Sequence, residues 1–415
     1  MRTTTGARWG RSAGTRTLLG LAGVGAITVG TLLGTNAGAQ GAADAGRGPG
    51  GPLQRHADAV RESGATGLVA RARAADGRDT AVRAGVADLA EDGAVPWDAY
   101  YRIGSDTKTF VAVVVLQLVA EGTLDLDDTV GRWLPGVVAG NGNDGDRITV
   151  RNLLQHTSGL ANYTDILFGD PAQLTPENYR AQRFTARTPE EKVALAMTRA
   201  PGWLPDADDP ASETRWAYSN TNYVLAGMII ERATGHTWER EVHERVIEPL
   251  GLRRTMTMGT SAYVPHPTAT AYLQFPGTRE LTDTTLSVDG GADGGIISTT
   301  DDMNTFLRAL MDGRLLPPEQ LAQMRTTVPE SQEPGEDARY GLGIAWRPAE
   351  GCPDGVWHHG GTSFGTVSET AVTEDGEVSA AAAVFTTRFG DEERFMRQQE
   401  ATIALVDRAV CGTRR

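Results

Sequence analysis

Between residues 109 and 120 the chain is apolar on nearly every side, with Phe110, Val113, Val114, Val115, Leu116, Leu118 and Val119, and the run closes at Glu121 and Gly122. Three consecutive valines suit a strand, but the length of the run and its glycine stop favour a helix. A helix with no polar face must be covered all round, so this one is expected at the centre of the fold.

The pattern on either side of that helix predicts the rest of the architecture. Two β-like runs, 66–72 and 80–86, flank the turn residues Asp76 and Gly77 and predict a hairpin that opens a sheet. Residues 151–257 carry helical spacing and helix-style punctuation, as in 222–233 followed by Gly235 and 238–246 followed by Pro249. After about residue 290 the pattern is β-like again, over 340–346, 366–372 and 378–385, and a last helix is expected over 394–410. Strands early, helices in the middle and strands late predict one sheet built from both ends of the chain around an inserted helical region. The expectation is a single domain over 53–415, with an α/β lobe at 53–105 and 290–415, an all-helical lobe at 106–289, and a site in the cleft between them.

The first 39 residues hold Arg2, Arg8, Arg11 and Arg16 with no acid, then an apolar, glycine-rich stretch over 17–34, then Ala37-Gly38-Ala39. That is the order of a secretory signal peptide, and a stretch so rich in glycine and threonine is a poor spanning helix. Export to the extracellular space is therefore expected, with cleavage near Ala39, no lasting membrane insertion, and a flexible leader over 40–52. An oxidising destination favours pairing the two cysteines, Cys352 with Cys411. Such a bridge would remove about 4 kcal/mol of unfolded-state freedom. The formal charge is −14, and loss of four arginines with the leader makes the remainder more acidic still. With no basic cluster to offset that field, nucleic acid is excluded as a partner. The protein is expected to act as a monomer.

Of the 39 basic residues only Lys108 and Lys192 are lysine. Ser105-Asp106-Thr107-Lys108 opens the apolar helix, so Ser105 and Lys108, three apart, share one face of its first turn. A serine hydroxyl is a poor nucleophile until something takes its proton, and a buried lysine of lowered pKa can do so. A chain that writes arginine almost everywhere has kept lysine where a tunable amine serves. Lys192, in Thr188-Pro-Glu-Glu-Lys, reads instead as a solvated first-turn residue. Tyr218-Ser219-Asn220 precedes another apolar helix and can place a phenol and an amide at its mouth. His358-His359-Gly360-Gly361-Thr362 precedes a β-like run, where glycines allow a substrate close to the backbone. No His-Glu-x-x-His run or calcium-loop spacing occurs, so neither a metal nor any other cofactor is expected.

Ser-x-x-Lys, Tyr-x-Asn and His-x-Gly, in that order, resemble the active-site elements of penicillin-recognising serine hydrolases. The branch is the one with secreted D-alanyl-D-alanine carboxypeptidases, class C β-lactamases and related esterases. Tyr101-Arg-Ile-Gly-Ser-Asp-Thr-Lys, Leu116-Gln-Leu-Val-Ala-Glu-Gly-Thr-Leu-Asp-Leu-Asp, Ile148-Thr-Val-Arg, His156-Thr-Ser-Gly-Leu, Tyr218-Ser-Asn-Thr-Asn-Tyr and Tyr340-Gly-Leu-Gly are similar to segments of the actinomycete extracellular DD-peptidases. The likeness spans residues 53–412. It implies a β-lactamase/transpeptidase-like fold, an antiparallel sheet flanked by N- and C-terminal helices with an inserted helical lobe. It also implies that Ser105 attacks the carbonyl of a penultimate D-alanine in a peptidoglycan stem peptide, or of a β-lactam, and forms an acyl-enzyme. Lys108 would be the first base, Tyr218 would pass the proton to the departing amine, His359 would steady the proton network, and Asn220 would hold the acyl amide. The N–H groups of Ser105 and Thr362, beside Gly361, would form an oxyanion hole worth about 3 to 4 kcal/mol per donor. Phe168 matches a substrate-side aromatic by position.

One departure stands out. The arginine that carboxypeptidases of this branch use to bind a substrate's free carboxylate falls at Ala345. On a strand, Arg347 faces the same side about 6 to 7 Å further along, and is expected to reach back as a substitute. A β-lactamase or an esterase on the same scaffold is the nearest rival to a carboxypeptidase. A catalytically idle cell-wall binder or β-lactam sensor is the rival of another class.

Overall fold

The computed structural model describes residues 51–412 other than 207, 210, 211, 213, 289 and 330–336. The expected signal peptide and residues 40–50 of the expected leader lie outside the described residues.

Eight strands form one antiparallel sheet: β1 (Gly67–Arg73), β2 (Asp79–Gly85), β3 (Val328–Pro329), β4 (Arg339–Tyr340), β5 (Ala345–Ala349), β6 (Cys352–Ser363), β7 (Thr366–Val372) and β8 (Ser379–Val384). Their order across the sheet is β3-β4-β5-β6-β7-β8-β1-β2. Strands from the two ends of the chain are thus neighbours, with Leu68 opposite Val384 and Arg73 opposite Ser379. Helices α1 (Pro52–Glu62), α4 (Thr300–Met311) and α5 (Glu392–Cys411) pack on this sheet, and α2 (Thr107–Ala120) packs against α3 (Asn220–Thr234) in the inserted region. α1 opens on a proline, whose fixed φ and missing N–H suit a first helical turn.

The outer face of the sheet is covered by α1 and α5, with Val60, Leu405 and Val406 on Leu68, Ala70 and Val384. The inner face, through Val69, Ala381 and Ala383, shares a core with Phe306 of α4 and Phe110 of α2, whose rings stack 3.7 Å apart. β8 is buried along its whole length, and its four successive alanines keep the sheet thin where helices close on both faces. In α2, eleven of fourteen residues are buried, which is the environment its all-round apolar sequence demands.

The inserted segment is held at its neck. Tyr101–Arg102 pairs with Ile296–Ser298. Arg102 is buried there, and its guanidinium donates to the carbonyls of Ala262, Thr285 and Ser287 at 2.7 to 2.9 Å. The insertion is not wholly helical. Tyr272–Gln274 and Leu281–Asp283 form a small sheet with Thr386–Arg388, which ties that part of it to the chain just beyond β8.

Two local readings of the sequence change. The strand expected over 340–346 breaks at 341–344, because Gly343 has φ +78° and a side chain there would meet Ala112 of α2 at 2.5 Å. The longest strand is β6, and its Gly-Gly pair, with Pro353, Asp354 and Gly355 near its start, hid it from a propensity argument. Cys352 at the start of β6 is bonded to Cys411 at the end of α5.

Candidate active site

Ser105 sits in the short turn Gly104–Asp106 that feeds α2. Gly104 has φ +53°, and a Cβ there would lie 2.9 Å from the Thr362 nitrogen, so only glycine lets the nucleophile's turn press against β6. Ser105 Oγ receives hydrogen bonds from Lys108 Nζ at 3.0 Å and Tyr218 Oη at 2.7 Å. Lys108 is fully buried, and Nζ also donates to Asn220 Oδ1 at 2.8 Å and the Asp293 carbonyl at 2.6 Å. Loss of one proton from that ammonium turns the Lys108–Ser105 contact round, so that the hydroxyl donates to the amine. The arrangement therefore holds a nucleophile between two proton-transfer groups.

The Tyr218 ring packs on His156, 4.4 Å between centroids. His156 Nδ1 accepts from the Ser219 N–H and from Asn222 Nδ2, which leaves the proton on Nε2. Burial, then the charge of Lys108, keeps this imidazole neutral far below its usual range. Asn220, the first residue of α3, uses its carboxamide oxygen on Lys108 and its NH2 on Thr164 Oγ1 at 3.1 Å. A substrate amide must share or displace that second bond.

His359 on β6 is buried and neutral. Burial first, then Lys108, pushes it down to about 3, against a bond to the Gly360 carbonyl. Its Nδ1–H donates to that carbonyl at 2.6 Å, and Nε2 accepts from Tyr340 Oη at 3.0 Å. It therefore steadies the proton network as a neutral link and not as a cation. Gly361 does not open the backbone to a substrate. A Cβ there would meet the Ile103 carbonyl at 1.9 Å, so its space is taken by the chain just before Ser105. Phe168, at the end of the helix Tyr163–Phe168, meets Phe364 edge-on at 5.4 Å. With Leu167, Tyr179 and Phe275 these rings line a cavity of about 270 Å³ beyond the Thr362 end of β6.

Two further sequence readings are overturned. Arg347 shares a face of β5 with Ala345, but that face looks away from Ser105. Its guanidinium donates to Glu369 at 3.1 Å and Asp407 of α5 at 2.8 Å, behind the sheet, so it does not reach back to hold a substrate carboxylate. Lys192 is not a solvated helix residue. It is 8 % exposed, donates to the Gly290 carbonyl at 2.8 Å, and lies 3.5 Å from Asp293 Oδ1.

Asp106, beside the nucleophile, escaped the sequence reading because its partners are some 260 positions away. It is buried, and accepts from the hydroxyls of Ser368 and Thr370 on β7. Those hydroxyls also lie 2.9 Å from the carbonyls of Ile103 and His359. Two hydroxyl protons face four acceptors, and a proton on Asp106 completes one more contact. Burial raises this carboxyl to about 7, against the two hydroxyls and Lys108. A carboxyl raised on folding contributes stability that is fully present below about pH 4 and is lost as pH climbs through about 7. Asp106→Asn mimics the protonated form. Its stability relative to the parent is therefore expected to grow between pH 4 and 8, by up to roughly 4 kcal/mol. Denaturant melts across that range check it; a difference that does not change with pH would sink the reading.

Residues 53–405 match the family model described as Beta-lactamase. The chain is 28% identical over 341 residues to Penicillin-binding protein 4 of Amycolatopsis lactamdurans, covering 79% of this chain and 83% of that one. Two Bacillus subtilis penicillin-binding relatives are matched over only 55% and 57% of their length. Among solved structures, a D-stereospecific amidohydrolase from Streptomyces sp. is 40% identical at a TM-score of 0.73, over 83% of this chain and 96% of that one. The D-amino acid amidase of Ochrobactrum anthropi SV3, complexed with L-phenylalanine amide, is 25% identical at a TM-score of 0.72, over 88% and 98%.

Proposed function

The chain belongs to the β-lactamase family, and from that premise we propose that it is a serine hydrolase of D-amino acid amides, substrates whose leaving group carries no carboxylate. The observation that carries this is Ser105 Oγ, held 3.0 Å from Lys108 Nζ and 2.7 Å from Tyr218 Oη. Ser105 attacks the carbonyl carbon while its proton passes to Lys108 as the free amine. The C–N bond then breaks, and Tyr218 hands a proton to the departing nitrogen. Water attacks the resulting ester, its proton returns through the same pair, and the acid leaves with Ser105 restored. No cofactor is needed, because the nucleophile and both proton-transfer groups are side chains of the chain itself.

The D-amide reading is supported by likeness to an amidohydrolase and an amidase of that stereochemistry. It is supported equally by the commitment of Arg347 to Glu369 and Asp407, which removes it as a grip on a substrate's terminal carboxylate. A D-alanyl-D-alanine carboxypeptidase, acylated by penicillins, is the second reading, favoured by the penicillin-binding relative. In either case we read residues 1–39 as an export signal, so that the substrate is met outside the cell. The arginine-rich, acid-free start and the Cys352–Cys411 bond support that location.

The test compares D- and L-phenylalanine amide with an N-acyl-D-alanyl-D-alanine peptide, alongside an intact-mass time course with benzylpenicillin. The D-amide should be cleaved at least about 100-fold faster than the L-amide, since a wrong-handed substrate misplaces its carbonyl in the site. Preferential cleavage of the acyl dipeptide would replace this reading with the carboxypeptidase. Consumption of penicillin with neither substrate cleaved would replace it with a β-lactamase.

A further inference from the structure

The second lysine of the chain ends up in contact with the same residue as the first. Lys108 donates to the backbone carbonyl of Asp293 at 2.6 Å, while Lys192 lies 3.5 Å from the Asp293 carboxylate and donates to the Gly290 carbonyl at 2.8 Å. Tyr163 Oη donates to the other Asp293 oxygen at 2.7 Å, and the Lys192 ammonium sits 5.3 Å from the Tyr163 ring centroid. The side chains of Lys192 and Asp293 are only 11% and 10% exposed.

Asp293 lies in the stretch Gly290-Gly291-Ala292-Asp293-Gly294-Gly295. Four glycines in six residues give that loop a large conformational entropy to lose, and little side chain with which to anchor itself. Yet its carbonyl must stay within hydrogen-bond reach of the buried Lys108 amine. The Gly294 and Gly295 N–H groups close the turn on the Gly291 carbonyl, and the ion pair and phenol on the Asp293 carboxylate add a side-chain anchor from outside the loop. Gly291 makes the room: a Cβ there would stand 2.6 Å from Lys192 Nζ and 2.5 Å from Asp293 Oδ1. The space fits a compact ammonium and not the planar fork of a guanidinium. That is a physical reason for a lysine at 192 in a chain that otherwise writes arginine.

We propose that Lys192, Asp293 and Tyr163 form a clamp that positions Lys108 for proton transfer, with Lys192 as its positioning residue. The proposal rests on the reading of Lys108 as the base for Ser105. Through the Asp293 peptide, the clamp fixes where the Lys108 amine sits relative to Ser105 Oγ. A displacement of about 1 Å at such a contact costs up to about 100-fold in rate, with little effect on substrate binding.

Steady-state kinetics on D-phenylalanine amide, normalised to the fraction of protein that is folded, test this. Lys192→Met and Lys192→Arg should each lower kcat by about 10- to 100-fold while KM moves less than about threefold. Tyr163→Phe removes a single hydroxyl and keeps the fold testable if the Lys192 variants fail to fold. It should lower kcat by about 3- to 10-fold with the same unmoved KM. A kcat within twofold of the parent in the folded variants would overturn the clamp, as would a loss carried by KM. Lys108→Met in the same assay keeps the two readings apart. If Lys108→Met loses turnover and the clamp variants do not, the clamp alone is wrong; if Lys108→Met retains turnover, the base assignment beneath it is wrong.

Discussion

Ser105→Ala should turn over no D-amino acid amide at a measurable rate, with a loss of about 10⁵- to 10⁶-fold in kcat. The size follows from what remains in the site. Lys108 and Tyr218 remain in place to move protons, but neither replaces the oxygen that forms the acyl bond. Fold and binding should survive, because the change removes one oxygen at the end of a turn that Gly104 and β6 already fix. KM, or the inhibition constant of a substrate analogue, should therefore move little while kcat collapses. Intact mass gives an independent readout: any acyl adduct that substrate or a β-lactam leaves on the parent protein should be missing from the variant. Turnover within about 100-fold of the parent would show that the chemistry does not run through Ser105.

What could be read from the sequence, and what could not, divides along one line. Features set by local geometry were legible. The all-round apolar run gave the central helix, the turn at Asp76 and Gly77 gave the hairpin, and Ser105 and Lys108, three apart on a first helical turn, gave a pair in contact. Tyr218 and Asn220 followed because they sit at the mouth of an apolar helix, and that helix packs on α2. Features set by distant partners were not legible. Lys192 looked solvated because Asp293, which buries it, is 101 positions away. Asp106 drew no reading at all, because Ser368 and Thr370 are more than 260 positions on.

Arg347 shows the limit of strand periodicity in particular. Alternation correctly put it on the same side as Ala345, but a period of two says which residues share a face and never which face looks at the site. That choice was made by the Gly343 turn before β5 and by the pairing of Ala345 opposite His358. His358, in turn, lies with Glu369 on the α5 side of the sheet. Gly361 misled in the same way. A glycine beside a strand reports a close approach, and here the approaching backbone belongs to Ile103.

Arg347→Ala should therefore act on folding rather than on substrate. The guanidinium is shared by Glu369 and Asp407, both mostly buried, with His358 Nδ1 3.5 Å from Glu369. Burial raises Glu369 to about 7 and Asp407 to about 6 even with the arginine pulling them down, and burial keeps His358 neutral. Without the arginine, two carboxyls remain in a poorly hydrated layer between sheet and helix. Removing one partner of such a group costs about 3 to 5 kcal/mol, because the remaining charge is left uncompensated. The sign of the pH dependence follows. Loss of the cation raises the folded-state pKa of both carboxyls further, so the variant's deficit is smallest near pH 4, where both are protonated in the folded protein with or without the arginine. It grows as pH rises through 6 and 7, where folding must hold them neutral or bury their charge. Denaturant melts at pH 5 and pH 8 should show the larger deficit at pH 8, while kcat and KM per folded molecule stay within about threefold of the parent. The opposite pattern, an unchanged melt with KM for an acyl-D-alanyl-D-alanine peptide raised about 100-fold, would restore Arg347 as a carboxylate grip and the carboxypeptidase reading with it.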